Sequence, residues 1–348
     1  MPRQSRSLYF TGPRALTIRD DSVAEPGHNE VLVAAVVSGI SAGTELNVYR
    51  GLAPQWRQQM DPVTRLFSDA NGSDWSWPAR YGYASVGRVA QTGSGVSRLS
   101  VGDWVFSYSP HGTHAVVPEA AVVPLLSLSN PENGVFYANL NTAYNGVLDG
   151  NFALGADVVV TGLGVIGQLV LRLARRAGAR RVIAVDGIAQ RRDFALAGGA
   201  THVIDPSGGG VAEEVRALTD GRGADCVFEV SGAAPALNEA IRIVGYNGTV
   251  VAMSWYGGTF ESLSLSGEFH HNRPRIISSQ VAMVNPALGP LWSVKRRGEI
   301  TLELLETYGA DLQSFVSHRM PLTDAANAYR LLDQGSPDVM QILLDYSA

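Results

Sequence analysis

The chain has 348 residues, a formal net charge of −5 and 45 % apolar side chains, enough for two domains with sizeable cores and without the basic surplus of a nucleic-acid binder. Its one cysteine, Cys226, excludes an intramolecular disulfide and a Cys-x-x-Cys metal site. The opening MPRQSRSLYF lacks the apolar core of a secretory signal and no run of about 18 apolar residues follows, so a cytoplasmic location away from the membrane is expected. A single lysine, Lys295, leaves little scope for amine catalysis.

From the N-terminus, SLYF, ALTIRD and EVLVAAVVSGIS are short apolar runs, with Pro26-Gly27 as a turn between the last two. They predict strands. Residues 50–80 hold Trp56, Trp75 and Trp77 with several prolines and little period, which predicts a long, partly ordered loop. YASVGRVAQTG, VGDWVFSY and THAVVPEAAVV again predict strands between glycine turns, so the first 125 or so residues predict a small β-barrel.

From GVFYANLNTAYNGVLDG onward the pattern changes to helices alternating with buried strands: ADVVVTG, RRVIAVDG, THVIDP, ADCVFEVSG and TVVAMSW, with RIISSQVAM as the last strand. That alternation predicts βαβ units and a parallel sheet, an α/β fold. Helices around 299–308 and 322–333 and a strand in VMQILLDY close the chain.

VVVTGLGVIGQLVLRL contains Gly162, Gly164 and Gly167 as GxGxxG between a strand and a helix. Gly162 permits the tight turn, Gly164 lets the backbone approach a pyrophosphate, and Gly167 lets helix and strand pack closely. Val165 and Ile166 open the helix, whose free N–H groups would face the phosphates. Asp186 ends the next strand, about 20 residues on, where an acid accepts from the adenosine ribose and repels a 2′-phosphate. That favours NAD, with NADP possible because Arg191 and Arg192 follow closely. Val230 and Ser231, at the end of ADCVFEVSG, complete the candidate cofactor contacts.

PGHNEVLVAAVVSGISAGTE, RYGYASVGRVAQTGSGVSRLSVGDWVF and VVVTGLGVIG, in this order, resemble the medium-chain dehydrogenase/reductase superfamily over nearly the whole chain. The resemblance implies a GroES-like catalytic domain over 1–130 and 283–348, a Rossmann domain over 131–282, an active site in the cleft between them, and a homodimer or homotetramer. SGISAGTE, RYGYASVGRV and PRIISSQ are most similar to the bacteriochlorophyllide dehydrogenase-like group, whose namesake oxidises a hydroxyethyl group to an acetyl group.

The positions that ligate zinc in the alcohol dehydrogenases of this superfamily are different here. The Cys-Gly-Thr-Asp stretch corresponds to Ala42-Gly43-Thr44-Glu45, or Ser41 one place earlier; the Gly-His-Glu motif to Gly82-Tyr83-Ala84; the third ligand to the neighbourhood of Ala138. Catalytic zinc needs three protein ligands, so no zinc and no other metal is expected. Without it, a ketone must be polarised by hydrogen-bond donors and alkoxide formation coupled to a base. Thr44, Tyr83 and Glu45 are the catalytic candidates: a relaying hydroxyl, a phenol aimed at the reacting oxygen, and a carboxylate that accepts a proton or orients the phenol.

Trp56, Trp75, Phe67 and Trp77 are candidates to wall a bulky small-molecule substrate, and Arg57 or Arg65 to meet a carboxylate on it. In HGTH, His111 and His114 are expected as ordinary histidines of a turn into a strand. His270 and His271 precede the last Rossmann strand, and His270 is a candidate for substrate contact. The expected activity is zinc-independent, NAD(P)(H)-dependent hydride transfer to or from a secondary alcohol or ketone. NADPH-dependent reduction of an activated C=C bond, and a non-catalytic nucleotide-binding protein, are the alternatives.

Overall fold

The computed structural model describes residues 3–69, 72–257 and 263–347. They form two units, Met1–Ala138 with Leu305–Ala348, and Asn139–Leu304. The divisions thus fall further along the chain than the expected 130/131 and 282/283.

In the first unit, β1 (Arg3–Gly12), β2 (Ala15–Val23), β3 (Glu30–Gly39) and helix α1 (Ala42–Tyr49) follow in order. Three two-residue strands then occupy the tryptophan-rich segment: β4 (Gln59–Met60), β5 (Phe67–Ser68) and β6 (Ala79–Arg80). After them come β7 (Ser85–Thr92), β8 (Trp104–Ser107), β9 (His114–Pro118) and β10 (Val123–Pro124). Val31, Leu32, Val33 and Val37 of β3 are all buried, which suits a strand covered on both faces. β3 pairs with β7, β9 and, antiparallel, with β18 (Gln341–Asp345) from the end of the chain. The register Leu344 to Ser38 sets Tyr346 beside β3.

The second unit starts within α2 (Tyr137–Gly150) and alternates β11 (Asp157–Thr161), α3 (Val165–Arg176), β12 (Arg181–Val185), α4 (Ala189–Ala197), β13 (His202–Ile204), α5 (Val211–Leu218), β14 (Ala224–Glu229), α6 (Ala234–Ile243), β15 (Val244–Ala252), α7 (Glu268–Asn272) and β16 (Arg275–Ser278). The sheet order is β13-β12-β11-β14-β15-β16, and every pair is parallel. The order reverses at β11, where a crevice forms outside the carboxyl ends of the strands. Val158, Val159, Val160, Val182, Ile183, Val227 and Val250 are fully buried, as expected of a sheet with helices on both faces.

The chain leaves this unit within α8 (Val294–Thr307) and returns through α9 (Gly309–Phe315), β17 (Val316–Pro321) and α10 (Ala325–Asp333) to β18. No helix among the described residues is long and apolar enough to cross a membrane.

Candidate active site

In the second unit the glycine motif forms the strand-to-helix turn its spacing predicts. Gly162 has φ +86, a conformation that L side chains resist, and a Cβ there would meet the Ser231 backbone nitrogen at 2.5 Å. A Cβ on Gly167 would lie 1.9 Å from the Gly162 carbonyl oxygen, so close helix–strand packing requires glycine. A Cβ on Gly164 would meet no atom within 4 Å, so the backbone stands open on the side a pyrophosphate would take. Val165 and Ile166 form the first turn of α3 and present its N-terminal N–H groups.

Asp186 lies just past β12, with Oδ2 accepting from the Leu163 backbone N–H (2.7 Å) and Oδ1 from Ile188 (2.8 Å). Each oxygen keeps a second lone pair for a ribose hydroxyl. Arg191 approaches the carboxylate at 3.8 Å, while Arg192 binds the Asp186 carbonyl (2.7 Å) and Asp205 (3.0 Å). Val230 donates to the Thr161 carbonyl at 2.8 Å, placing Val230 and Ser231 beside Gly162.

Sequence reasoning did not single out Glu229, fully buried at the end of β14. It accepts from the Ser231 backbone (2.8 Å), the Ser231 hydroxyl and the Tyr256 hydroxyl. Burial first, then the Glu229 charge, pushes the Tyr256 phenol well above its ordinary range. Together these residues fit a dinucleotide.

The first unit assembles the catalytic candidates. Ser41 caps α1, and its backbone N–H donates to Oε1 of Glu45, one turn on, at 2.7 Å. This backbone-to-side-chain contact turns the carboxylate inward. The Tyr83 phenol donates to the Ser41 hydroxyl at 2.5 Å and also contacts the Thr44 hydroxyl. Thr44, Tyr83 and Glu45 are therefore neighbours, with Ser41 between them. Burial first and the Glu45 charge second push the Tyr83 phenol up to about 12, so it remains protonated at neutral pH and serves as a hydrogen-bond donor.

The expectation for His111 is corrected. It is no ordinary loop histidine: it and Glu45 have no exposed side-chain surface, and its Nε2 lies 2.9 Å from Glu45 Oε2. Its Nδ1 lies 2.6 Å from the Ser38 hydroxyl, which is 2.7 Å from the Tyr346 hydroxyl. The Tyr329 hydroxyl, on α10, also donates to Glu45 Oε2. His114 opens β9 as expected.

The tryptophan-rich segment is more ordered than expected. Trp56 stacks on Trp77 at 3.6 Å and meets Trp75 edge-on at 5.2 Å. Trp75 meets Tyr81 at 5.5 Å, and Tyr81 meets Tyr83 at 6.2 Å. An aromatic run thus leads from this segment to the Tyr83 phenol. Phe67, Arg57 and Arg65 are exposed.

His270 stands apart from the cofactor turn. It is exposed on α7, which precedes the amino end of β16, whereas Gly162, Asp186 and Val230 follow the carboxyl ends of their strands. His271 packs on it at 5.2 Å.

The donor set at Ser41, Tyr83 and Ala138 does not fit a zinc ion, for it holds neither thiolate nor imidazole. Among the described residues no group of three or more His, Cys, Asp or Glu side chains is placed to hold a metal.

The pattern of the zinc-binding dehydrogenase family matches residues 165–288. D-guloside 3-dehydrogenase of Escherichia coli K12 is 33 % identical over 307 residues, 86 % of this chain and 88 % of that one. L-threonine 3-dehydrogenase of Pyrococcus furiosus is 31 % identical over 267 residues, 68 % of this chain and 71 % of that one. Among solved structures, an alcohol dehydrogenase from Thermus sp. ATN1 matches with a TM-score of 0.76 and 22 % identity, covering 98 % and 99 % of the two chains. An alcohol dehydrogenase of Escherichia coli CFT073 complexed with NADH matches at 0.79 and 18 %, covering 99 % of each.

Proposed function

The chain belongs to the zinc-binding dehydrogenase family of the medium-chain dehydrogenase/reductase superfamily and is an NAD(P)-dependent dehydrogenase, and from that premise we propose that it interconverts a secondary alcohol and a ketone on a glycoside-like ring, using NAD and no zinc. The observation that carries the reading is the cluster of the Tyr83 and Ser41 hydroxyls, at positions the family resemblance matches to zinc ligands, with the Thr44 hydroxyl beside them. Bound nicotinamide supplies or accepts the hydride. The chain's own residues manage the oxygen. The Tyr83 O–H, which in the structure donates to Ser41, would turn to the ketone oxygen and give it its proton as negative charge develops there, leaving a phenolate that the Ser41 or Thr44 hydroxyl reprotonates. Ser41 and Thr44 orient the phenol and relay its proton. Glu45 anchors the start of α1 and fixes Ser41.

Two further features support the choice of cofactor and substrate. Asp186 is held by two backbone N–H groups, which favours ribose hydroxyls over a 2′-phosphate and so NAD over NADP. The aromatic run from Trp56 to Tyr83 offers ring faces of the kind that pack against the C–H face of a sugar ring. The relative from Escherichia coli K12 is named for a guloside.

The test is turnover of a panel of methyl glycosides with NAD by the wild type and Tyr83→Phe. Removal of one such donor costs roughly 100- to 1,000-fold in kcat. A Tyr83→Phe enzyme within twofold of wild type would refute the role of the phenol. Activity confined to C=C acceptors would refute the reaction class.

A further inference from the structure

We propose that Arg297 is a positioning residue for the nicotinamide ring of the cofactor: from a buried site it fixes the turn 280–283, against which the ring lies. The inference rests on the reading of the second unit as a dinucleotide site and adds a residue that touches neither substrate nor cofactor.

The sheet register brings the turn into play. Thr161, Glu229, Ala252 and Ser278 lie level across β11, β14, β15 and β16. Just beyond them the backbone stays in step: Val230 donates to the Thr161 carbonyl (2.8 Å), Met253 to Glu229 (2.9 Å) and Ser279 to Ala252 (3.0 Å). One line of carboxyl ends therefore runs from the glycine turn to Ser279. A dinucleotide binds across such a sheet, with its two halves on opposite sides of the point where the strand order reverses. The adenosine ribose belongs at Asp186, beyond β12. The nicotinamide half then falls on the side of β14, β15 and β16.

The turn that follows Ser279 is held from within. Arg297, on α8, is 1 % exposed. Its Nε donates to Asn141 Oδ1 (2.8 Å). Its Nη1 donates to Asn145 Oδ1 and to the Met283 carbonyl (3.2 Å), and its Nη2 to the Val281 carbonyl (2.5 Å). Asn145, on α2, donates in turn to the Ser279 hydroxyl (3.2 Å) and to Asp149 (2.9 Å). Arg297 thus ties α8, α2 and the segment after β16 together at one point. Gln280, Ala282 and Met283 are nevertheless exposed, so the turn keeps an open outer face.

Packing alone does not call for a cation here. A buried charge is costly to desolvate, and an apolar side chain of similar size would fill the space without that cost. What the guanidinium adds is a rigid planar fork that reaches four acceptors at once. Two of them are carbonyls of alternate residues in one short turn, which fixes how its backbone runs.

The experiment compares NADH with ADP-ribose, which lacks only the nicotinamide ring, on the full chain. In the wild type, hydrogen exchange of peptides covering 279–283 should slow when NADH is bound and not when ADP-ribose is bound. Arg297→Lys keeps the charge but cannot span four acceptors. Its Kd for NADH should rise about tenfold, and its Kd for ADP-ribose should stay within about twofold of wild type. A residue that only stabilises the unit would move both nucleotides alike or neither. If Arg297→Lys fails to fold, the exchange contrast in the wild type decides. Exchange at 279–283 that is indifferent to NADH or slows equally with ADP-ribose overturns the proposal, as does a variant in which the two affinities do not separate. These results leave the dinucleotide reading intact. That reading fails separately, and takes the proposal with it, if neither nucleotide binds the wild type.

Discussion

Replacing Asp186 by alanine should produce two separable losses. The first is affinity for NADH. A charged hydrogen bond to a ribose hydroxyl contributes about 1.5–3 kcal/mol, which converts to roughly 10- to 150-fold in Kd. The second is stability. The Leu163 N–H loses the acceptor it now has at 2.7 Å, and Leu163 is fully buried. A buried donor left unsatisfied costs about 1–3 kcal/mol, or about 2–4 °C in Tm for each kcal/mol in a unit of this size. NADPH should respond differently, because the variant also removes the carboxylate that would repel a 2′-phosphate, 3.8 Å from Arg191. Its affinity should fall by much less than that for NADH, or rise. Asp186→Asn separates the two losses: it keeps one neutral acceptor for the turn and should recover part of the Tm, but not the discrimination. The assay is fluorescence titration with both nucleotides beside thermal unfolding. Equal weakening of both nucleotides would mean general damage to the turn, and unchanged affinities would refute the ribose role of Asp186.

Gly82→Ala should cost about 1–3 kcal/mol and depress turnover, because its φ is +116 and its Cβ would meet the buried His111 ring at 2.6 Å; urea unfolding and a kcat measurement check both. Asp333 joins the end of α10 to Arg50 (2.5 Å) and Arg14 (2.8 Å). Burial works to raise its carboxyl, but the two guanidinium partners outweigh this and hold it below its usual range. The stabilisation is therefore present above pH ~4, the value of a free carboxyl, and is lost as pH falls through the lower folded value. Asp333→Asn should be less stable than wild type at pH 7, and the gap should close in acid; a gap independent of pH would contradict the assignment.

How much of this was legible in the sequence depends on how local each feature is. The strand–turn–helix at the glycine motif was legible, since Gly162, Gly164, Gly167 and the following acid lie within one βαβ unit and backbone sterics require glycine at 162 and 167. Thr44, Tyr83 and Glu45 were reached by position in the family pattern, and the structure brings them together around Ser41.

His111 was misjudged because its partners lie far along the chain: Glu45 is 66 residues away and Ser38 is 73. Tyr329 and Tyr346 come from the return segment and reach the site through α10 and through β18, which pairs with β3. No local spacing encodes such a meeting; the one local trace is Gly82, whose missing side chain makes room for the His111 ring. Closeness in sequence to a Rossmann strand does not say which end of that strand a residue lies at, and His270 stands on α7, before the amino end of β16. The tryptophan segment lacked a period because its order comes from indole stacking rather than from a regular backbone.

The central claim is that the hydroxyl cluster at Tyr83 takes the place of the metal. It is tested most directly by dialysing the enzyme against a strong chelator, measuring its bound zinc, and comparing kcat on an oxidisable glycoside with NAD before and after Zn2+ is returned. The account predicts undiminished turnover with negligible zinc and no gain on its return. Loss of activity on chelation that Zn2+ restores would contradict it.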